Sequence, residues 1–342
     1  MVDAICKEIE LRNDYLSDKK LNSIYFGGGT PSVLEKKELD KFFNALSKHF
    51  TWEKNAEITL ECNPDDLTKE KLLELKQFGV NRLSVGLQSF DEEELKWMNR
   101  AHTASQSEEC VKLAQDIGFS NISIDLIYGS KFQTVDNWKR TLEKALSLNI
   151  QHISSYNLTV EEKTALGVAV SKGIETTVDD EKSSQQFIVL MDTLEKNGFG
   201  HYEISNFAKK DFEAVHNTNY WKGAKYLGLG PSAHSFNGRS RQWNISNNAI
   251  YIKAINEGTE FYETEILSKL NRYNEYVLTR LRTKWGCDID FIRSEFGNEF
   301  AEHFLRSAEN HLPHSIQKNG SVYSLTTRGK LLADKIAMEL FN

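Results

Sequence analysis

The stretch Asn22–Phe43, NSIYFGGGTPSVLEKKELDKFF, runs from a short apolar segment into Gly27-Gly28-Gly29-Thr30-Pro31 and then into an amphipathic pattern. It reads as a strand, a glycine turn and a helix, an order that commonly builds an anion-binding cradle. The usual nucleotide signatures do not fit. A P-loop needs spaced glycines followed by Lys and Ser or Thr, and this turn has no lysine. A dinucleotide fingerprint needs G-x-G-x-x-G, which the run does not supply. Three adjacent glycines instead permit unusual backbone angles and close approach of a ligand to the main chain. Exposed N–H and C=O groups of that kind suit a ligand carrying both an amine and a carboxylate, although a tight loop without a ligand has the same composition.

The same unit recurs outward from this stretch. Strands are expected at Ile24–Phe26, Glu57–Cys62, Arg82–Leu87, Ile122–Tyr128 and Ile153–Leu158, with helices at Glu35–Phe50, Thr68–Phe78, Asp91–Asn99, Ser105–Ile117 and Val135–Leu148. Ser32 with Glu35 and Asp91 with Glu94 have the spacing of capping boxes. The strand tips Phe26, Glu61, Gln88, Asp125 and Tyr156 lie 35, 27, 37 and 31 residues apart, the spacing of successive parallel βα units. Glu61, Gln88 and Asp125 sit at or near strand ends, as the glycines do. Polar residues on several successive tips favour a barrel, whose strand ends share one mouth, over a doubly wound sheet with a single switch point. Each residue taken singly is equally an ordinary strand-end polar group. Val2–Leu16 reads as an amphipathic helix ahead of the first strand, so a strand that should feed it is absent, and truncation is the expected cause.

After Leu158 the pattern loosens. A helix is expected at Lys182–Asn197 and a strand at Gly200–Phe207, followed by the Gly- and aromatic-rich segment His216–Trp243. From about Asn271 helices dominate, and a β-ribbon followed by a helix suggests a small winged-helix-like unit. The expected division is 1–165 for the βα barrel, 166–265 for a covering region and 266–342 for the C-terminal domain.

Hydrophobic residues at 39% and charged residues at 27% describe an ordinary globular chain. A formal charge of -7 argues against nucleic acid as a partner. No stretch has the length of a membrane span, and the N-terminus has no signal-peptide pattern, so at most peripheral membrane contact and a cytoplasmic location are expected. Cys6, Cys62, Cys110 and Cys287 are scattered without a CxxC pair, which indicates reduced thiols and no local metal-ligand cluster.

Seven segments together carry a resemblance: YFGGGTPSVL (Tyr25–Leu34), ITLECNPDDL (Ile58–Leu67), RLSVGLQSF (Arg82–Phe90), NRAH (Asn99–His102), ISIDLIYG (Ile122–Gly129), HNTNYW (His216–Trp221) and GLGPSAHSF (Gly228–Phe236). In this order they resemble the motifs of the HemN/HemW branch of radical S-adenosylmethionine proteins, over nearly the whole chain. The resemblance implies an α/β fold with a partial (β/α)6 TIM-like barrel missing its first strand, plus a smaller C-terminal α/β winged-helix-like domain. It implies S-adenosylmethionine as the guest of Gly28, Gly29 and Thr30, with Glu61, Gln88, Arg100, Asp125 and, less directly, His234 as further contacts. Arg100 would suit the cofactor's carboxylate and Asp125 its ribose hydroxyls; Arg100 could instead pair with Glu93 or Glu94, and Asp125 could cap a helix. The branch holds a 4Fe–4S cluster on a CxxxCxxC loop. That loop is absent here, and VDAICKEIELR (Val2–Arg12) resembles the segment just after it. No metal ligand or catalytic residue is therefore assigned, and reductive cleavage of the cofactor is not expected of this chain.

HNTNYW points to the heme-chaperone side of the branch, which implies heme as cargo and a heme-acceptor protein as partner. His216 is the candidate heme ligand, among Tyr220, Trp221, Tyr226 and Phe236, where the same residues could merely seal the barrel. The enzymatic alternative is an oxygen-independent coproporphyrinogen III dehydrogenase of porphyrin biosynthesis; a third is an interaction protein with no porphyrin role.

Overall fold

Short polar side chains start most of the helices that follow strands. The structure, a computed structural model, describes residues 1–176 and 178–342. In chain order the first elements are α1 (Val2–Leu11), β1 (Lys20–Phe26), α2 (Lys36–His49), β2 (Thr51–Cys62), α3 (Lys69–Gln77) and β3 (Arg82–Gln88). Then come α4 (Glu92–Trp97), α5 (Ala104–Asp116), β4 (Asn121–Tyr128), α6 (Val135–Ser147), β5 (His152–Asn157), α7 (Ala165–Ser171) and α8 (Asp180–Lys196). Thr68, Asp91, Thr103, Thr134 and Asp179 each accept a backbone N–H at the start of α3, α4, α5, α6 and α8.

Three local expectations are corrected. The cap of α2 is Glu35, boxed with Glu38; Ser32 lies in a 3-10 turn, and its hydroxyl donates to Asp66 Oδ2 at 2.6 Å. Asp91 caps α4, but Glu94 does not complete the box. It is buried and accepts from Ser89, Ser130 and Gln133. Helix α1 also stops at Leu11, short of the expected Leu16.

The chain continues through β6 (Gly200–Glu203), β7 (Asn206–Ala208), α9 (Val215–Trp221), β8 (His234–Phe236), β9 (Ser240–Asn244), α10 (Asn248–Glu257) and β10 (Tyr262–Ile266). The last elements are α11 (Lys269–Leu281), β11 (Cys287–Asp288), α12 (Ile289–Phe296), α13 (Asn298–Glu309), β12 (Ile316–Asn319), β13 (Val322–Leu325), α14 (Thr327–Lys330) and α15 (Ala333–Glu339). Seven strands form one sheet in the order β1-β2-β3-β4-β5-β7-β6. The pairings β2–β3, β3–β4 and β4–β5 are parallel. Gly200–Phe207, expected as one strand, is the hairpin β6–β7, and β7 runs antiparallel to β5. Two residues between β6 and β7 leave room only for a hairpin.

The residues form two compact units. One comprises Met1–Tyr25, Leu34–Ile58 and Ala214–Asn342; the other comprises Phe26–Val33 and Thr59–Glu213. In the second unit one face of the strands is apolar: Leu60, Leu83, Val85, Ile122, Ile124, Leu126 and Ile153 are all buried. Tyr128 on this face packs against Trp138 of α6 and Phe187 of α8. The alternate residues are polar: Thr59, Glu61, Arg82, Ser84, Ser123, Asp125, His152 and Ser154. A parallel sheet covered on both sides ordinarily shows continuous apolar runs. The polar alternation therefore marks a face built for something other than helix packing.

In the first unit, α1 packs against α2 and α10, and its side chains bond to the antiparallel sheet β10-β9-β8. Ala4 lies with Tyr251, Ala254, Ile255 and Phe261 in one apolar cluster. Glu8 and Arg12, one turn apart on the same helix, are buried together at 3.3 Å. Glu8 accepts from Asn244 Nδ2 (2.7 Å), the Gly230 N–H (2.8 Å) and Tyr251. Arg12 donates to Ser235 Oγ (3.3 Å), Asn244 Oδ1 (3.3 Å) and Gln242, between the rings of Tyr15 and Tyr262. The C-terminal part has α11, α12 and α13 with the antiparallel sheet β11-β13-β12. Its aromatic core joins Tyr273 to Phe296 and Phe300.

Candidate functional site

Glycine decides the geometry of the first turn. Gly28 has φ +78°, and a Cβ on Gly28 or Gly29 would meet nothing within 4 Å, so the backbone there faces open space. Gly27 to Thr30 are exposed. The Gly28 N–H donates to Glu61 Oε2 at 3.2 Å, so the carboxylate at the end of β2 reaches the glycine turn. Ser32 fastens the base of the turn: it donates to Asp66 and accepts from the Asn63 N–H at 3.4 Å.

A bulge between Val85 and Gln88 ends β3, with Gln88 at φ +67°. Such a bulge re-aims a side chain. A Cβ on Gly86 would lie 2.9 Å from Gln88 Nε2, 3.3 Å from Arg100 Nη2 and 3.8 Å from Cys62 O, so both polar groups converge over a glycine. Arg100 donates through Nη2 to Asn63 Oδ1 (2.9 Å) and to Gly86 O (3.1 Å), which answers the expectation of a pair with Glu93 or Glu94: its anchors lie elsewhere. The NRAH histidine, His102, is buried with Nε2 3.1 Å from Leu87 O, and burial lowers its pKa.

Asp125 does not cap a helix. It stands within β4, opposite Ser154 of β5. Burial pushes its pKa up to about 6, against the opposing effects of the Ser154 hydroxyl, the Arg82 charge and the Ser84 hydroxyl; the Glu61 charge adds to the rise. Next to it lies a closed polar chain. His152 meets Ser123 Oγ at 2.7 Å through Nδ1 and Tyr202 OH at 2.8 Å through Nε2, and burial holds its pKa well below the ordinary value. Sequence reading missed Arg82, Ser84, His152 and Ser154, although each occupies the same strand phase as Glu61 or Asp125.

Gly28, Gly29, Thr30, Glu61, Gln88, Arg100 and Asp125 all lie in the second unit; of these, Gly28 meets Glu61, Gln88 and Arg100 converge over Gly86, and Asp125 stands inside β4. His216 and His234 belong to the first unit. His234 is exposed on β8, with its ring 6.4 Å from that of Trp243. In its segment, Gly228 and Ser235 bond to each other and Gly230 donates to Glu8, so these residues knit the β8 loop to α1.

His216 opens α9, whose first N–H groups are held by one carboxylate. Glu57 Oε2 accepts from Val215 at 2.9 Å and Oε1 from His216 at 2.8 Å. The imidazole stacks on Tyr25 at 4.8 Å, with Nδ1 2.9 Å from Ser23 Oγ and Nε2 3.0 Å from Tyr220 OH. Tyr220 meets Tyr226 edge-on at 4.5 Å, and Tyr226 lies 6.3 Å from Phe236. A continuous run of rings results.

The strand-end groups fit a zwitterionic cofactor bearing hydroxyls: an exposed glycine backbone, a carboxylate, an amide, a guanidinium and a second carboxylate. They do not fit an iron–sulfur cluster. Cys62, Cys110 and Cys287 are buried, with burial raising each thiol's pKa, and Cys6 stands on α1. Among the described residues no group of three His, Cys, Asp or Glu could hold a metal ion. No helix among them is long and apolar enough to cross a membrane.

Comparisons with known proteins bear on the fold and the family. The Radical SAM superfamily matches residues 5–145. The coproporphyrinogen III oxidase (HemN) from Escherichia coli, a radical SAM enzyme, superposes with a TM-score of 0.84 at 23% identity, covering 99% of this chain and 82% of that one. The fold is that of the radical S-adenosylmethionine class, whose cofactors are S-adenosylmethionine and a 4Fe–4S cluster. Heme chaperone HemW of Lactococcus lactis subsp. lactis (strain IL1403) is 36% identical over 282 residues, 82% of this chain and 74% of that protein. Heme chaperone HemW of Bacillus subtilis (strain 168) is 34% identical over 322 residues, 92% and 84% respectively. The chain belongs to the HemW family.

Proposed function

We propose that this chain binds heme and passes it to an acceptor protein, with the strand-end site of the second unit receiving S-adenosylmethionine. The observation that carries the first part is the run of rings Tyr25, His216, Tyr220, Tyr226 and Phe236, which offers the apolar faces a macrocycle packs against and nitrogen and oxygen donors for its iron. The names of the relatives from L. lactis and B. subtilis support it. Titration of the folded chain with hemin is expected to shift the Soret band and saturate; an unshifted spectrum would remove the heme reading.

For S-adenosylmethionine, Gly28, Gly29 and Thr30 would face the amino acid end, Glu61 its ammonium, Arg100 its carboxylate, and Asp125 its ribose hydroxyls. Gln88 would supply an amide beside them. When bound to a cluster this cofactor supplies a radical. The residues here do three other things: they orient a zwitterion, pair both of its charges, and hold an acceptor for its hydroxyls. Without a cluster to take the amine and carboxylate, affinity is expected to be weaker than micromolar. Calorimetry on this chain that gave micromolar binding would contradict that.

A further inference from the structure

The polar chain beside Asp125 continues into its carboxylate. Tyr202 of β6 meets His152 Nε2 at 2.8 Å, and His152 Nδ1 meets Ser123 Oγ of β4 at 2.7 Å. Ser123 Oγ lies 3.3 Å from Ser154 Oγ of β5. Ser154 stands opposite Asp125 in the β4–β5 register and bonds its carboxylate, as Ser84 of β3 does. Tyr202, His152, Ser123 and Ser154 are all buried, where a polar group is costly unless each of its bonds finds a partner. An unbroken hydrogen-bond path therefore runs from the β6 hairpin strand to a residue of the candidate cofactor site.

Its two ends fix which way each proton points. An ionised carboxylate only accepts, so Ser154 spends its single O–H on Asp125. The contact between the two serines then needs the Ser123 proton, and Ser123 in turn accepts from His152 Nδ1–H. His152 is neutral, because burial and the Arg82 charge both oppose its protonation. It therefore carries one N–H and leaves Nε2 to accept from the Tyr202 hydroxyl. The Tyr156 hydroxyl also meets Ser154, whose second lone pair receives it. We propose that Tyr202, His152, Ser123 and Ser154 are positioning residues, a one-way hydrogen-bond relay that holds Asp125 as an ionised acceptor for the vicinal hydroxyls of a ribose-bearing ligand. This deepens, and rests on, the assignment of Asp125 to the ribose of S-adenosylmethionine above. The relay supplies the carboxylate with a donor whose direction the protein has already set, so a ligand's hydroxyls meet an acceptor that needs no rearrangement.

Nuclear magnetic resonance of the full chain carrying 15N-histidine reports the His152 tautomer directly. The measurement is made at pH 7.5, above the Asp125 value of about 6, on the original chain, Ser154→Ala, Ser154→Thr and Ser84→Ala. Circular dichroism checks folding, and equilibrium dialysis with S-adenosylmethionine at millimolar concentration measures binding. The original chain is expected to hold His152 as the Nδ1–H tautomer. Ser154→Ala frees the Ser123 proton to turn toward Nδ1, so the Nε2–H tautomer should appear and S-adenosylmethionine affinity should fall about tenfold, the loss of one hydrogen bond to a charged group. Ser154→Thr keeps the hydroxyl and should restore both. Ser84→Ala removes the other hydroxyl on Asp125 but no member of the path, so binding should weaken with the tautomer unmoved. An Nε2–H tautomer in the original chain, a tautomer that Ser154→Ala leaves unchanged, or one that Ser84→Ala shifts equally would overturn the relay. The expected tautomers with no saturable binding to the folded original chain would instead overturn the S-adenosylmethionine reading on which the proposal rests.

Discussion

Replacing Glu8 by alanine is expected to destabilise the protein by about 3–5 kcal/mol, the usual cost of removing one member of a buried ion pair. The carboxylate serves four partners at once: Arg12, Asn244, Tyr251 and the Gly230 N–H. Deleting it leaves the Arg12 guanidinium as a buried cation and strips three donors of their acceptor. Removing Arg12 as well should cost much less than the sum of the single substitutions, because the stranded charge goes with it, and a coupling of about 1–3 kcal/mol is expected in the double-mutant cycle. Urea unfolding of Glu8→Ala, Arg12→Met and the double variant measures this. A loss under about 1 kcal/mol for Glu8→Ala would mean that the network does not hold α1 to β8, β9 and α10.

That network shows where sequence reading stops. The repeating strand tips were legible because each βα unit is built from local signals: a cap such as Thr68 or Asp91, an apolar strand, and a polar residue where the strand ends. That spacing placed Gly28 and Glu61 on neighbouring tips, though not the hydrogen bond between them. The segment Gly228–Phe236 could be recognised as a motif, yet the bonds of its Gly230 and of Asn244 to Glu8 cross 222 and 236 residues. No local pattern reports a partner so far away. Glu94 failed for the same reason: its spacing from Asp91 fits a cap, but its carboxylate belongs to Ser130 and Gln133, 36 and 39 residues on. Ser32 was misread in the same way, since Asp66 lies 34 residues on. Arg82, Ser84, His152 and Ser154 were legible in principle. They alternate with apolar residues in phase with Glu61 and Asp125, and that phase marks a polar face rather than isolated tips.

Asp125 makes the cost of that face measurable. Its native pKa is raised from 3.8 to about 6, so ionisation is harder in the folded chain than in the unfolded one. Between these values the unfolded state holds fewer protons, so stability from this group is full below about pH 4 and falls as pH rises through about 6. The loss levels off at about 3 kcal/mol, the 1.36 kcal/mol of each pKa unit applied to the rise. Asparagine cannot ionise, so Asp125→Asn should be more stable than the original chain at neutral pH. The advantage is expected to widen by about 1.4 kcal/mol between pH 5 and pH 7.5. Urea midpoints of the two proteins at these pH values test it. A difference independent of pH would mean that the carboxyl titrates normally, and a less stable variant at pH 7.5 would mean that the charge is favourable where it stands. The same substitution removes the carboxylate proposed for the ribose hydroxyls, so any residual S-adenosylmethionine binding should weaken as stability rises. Opposite movement of stability and binding is what a ligand site predicts, since a charge retained against the folded state's preference must be satisfied by something the chain alone does not supply.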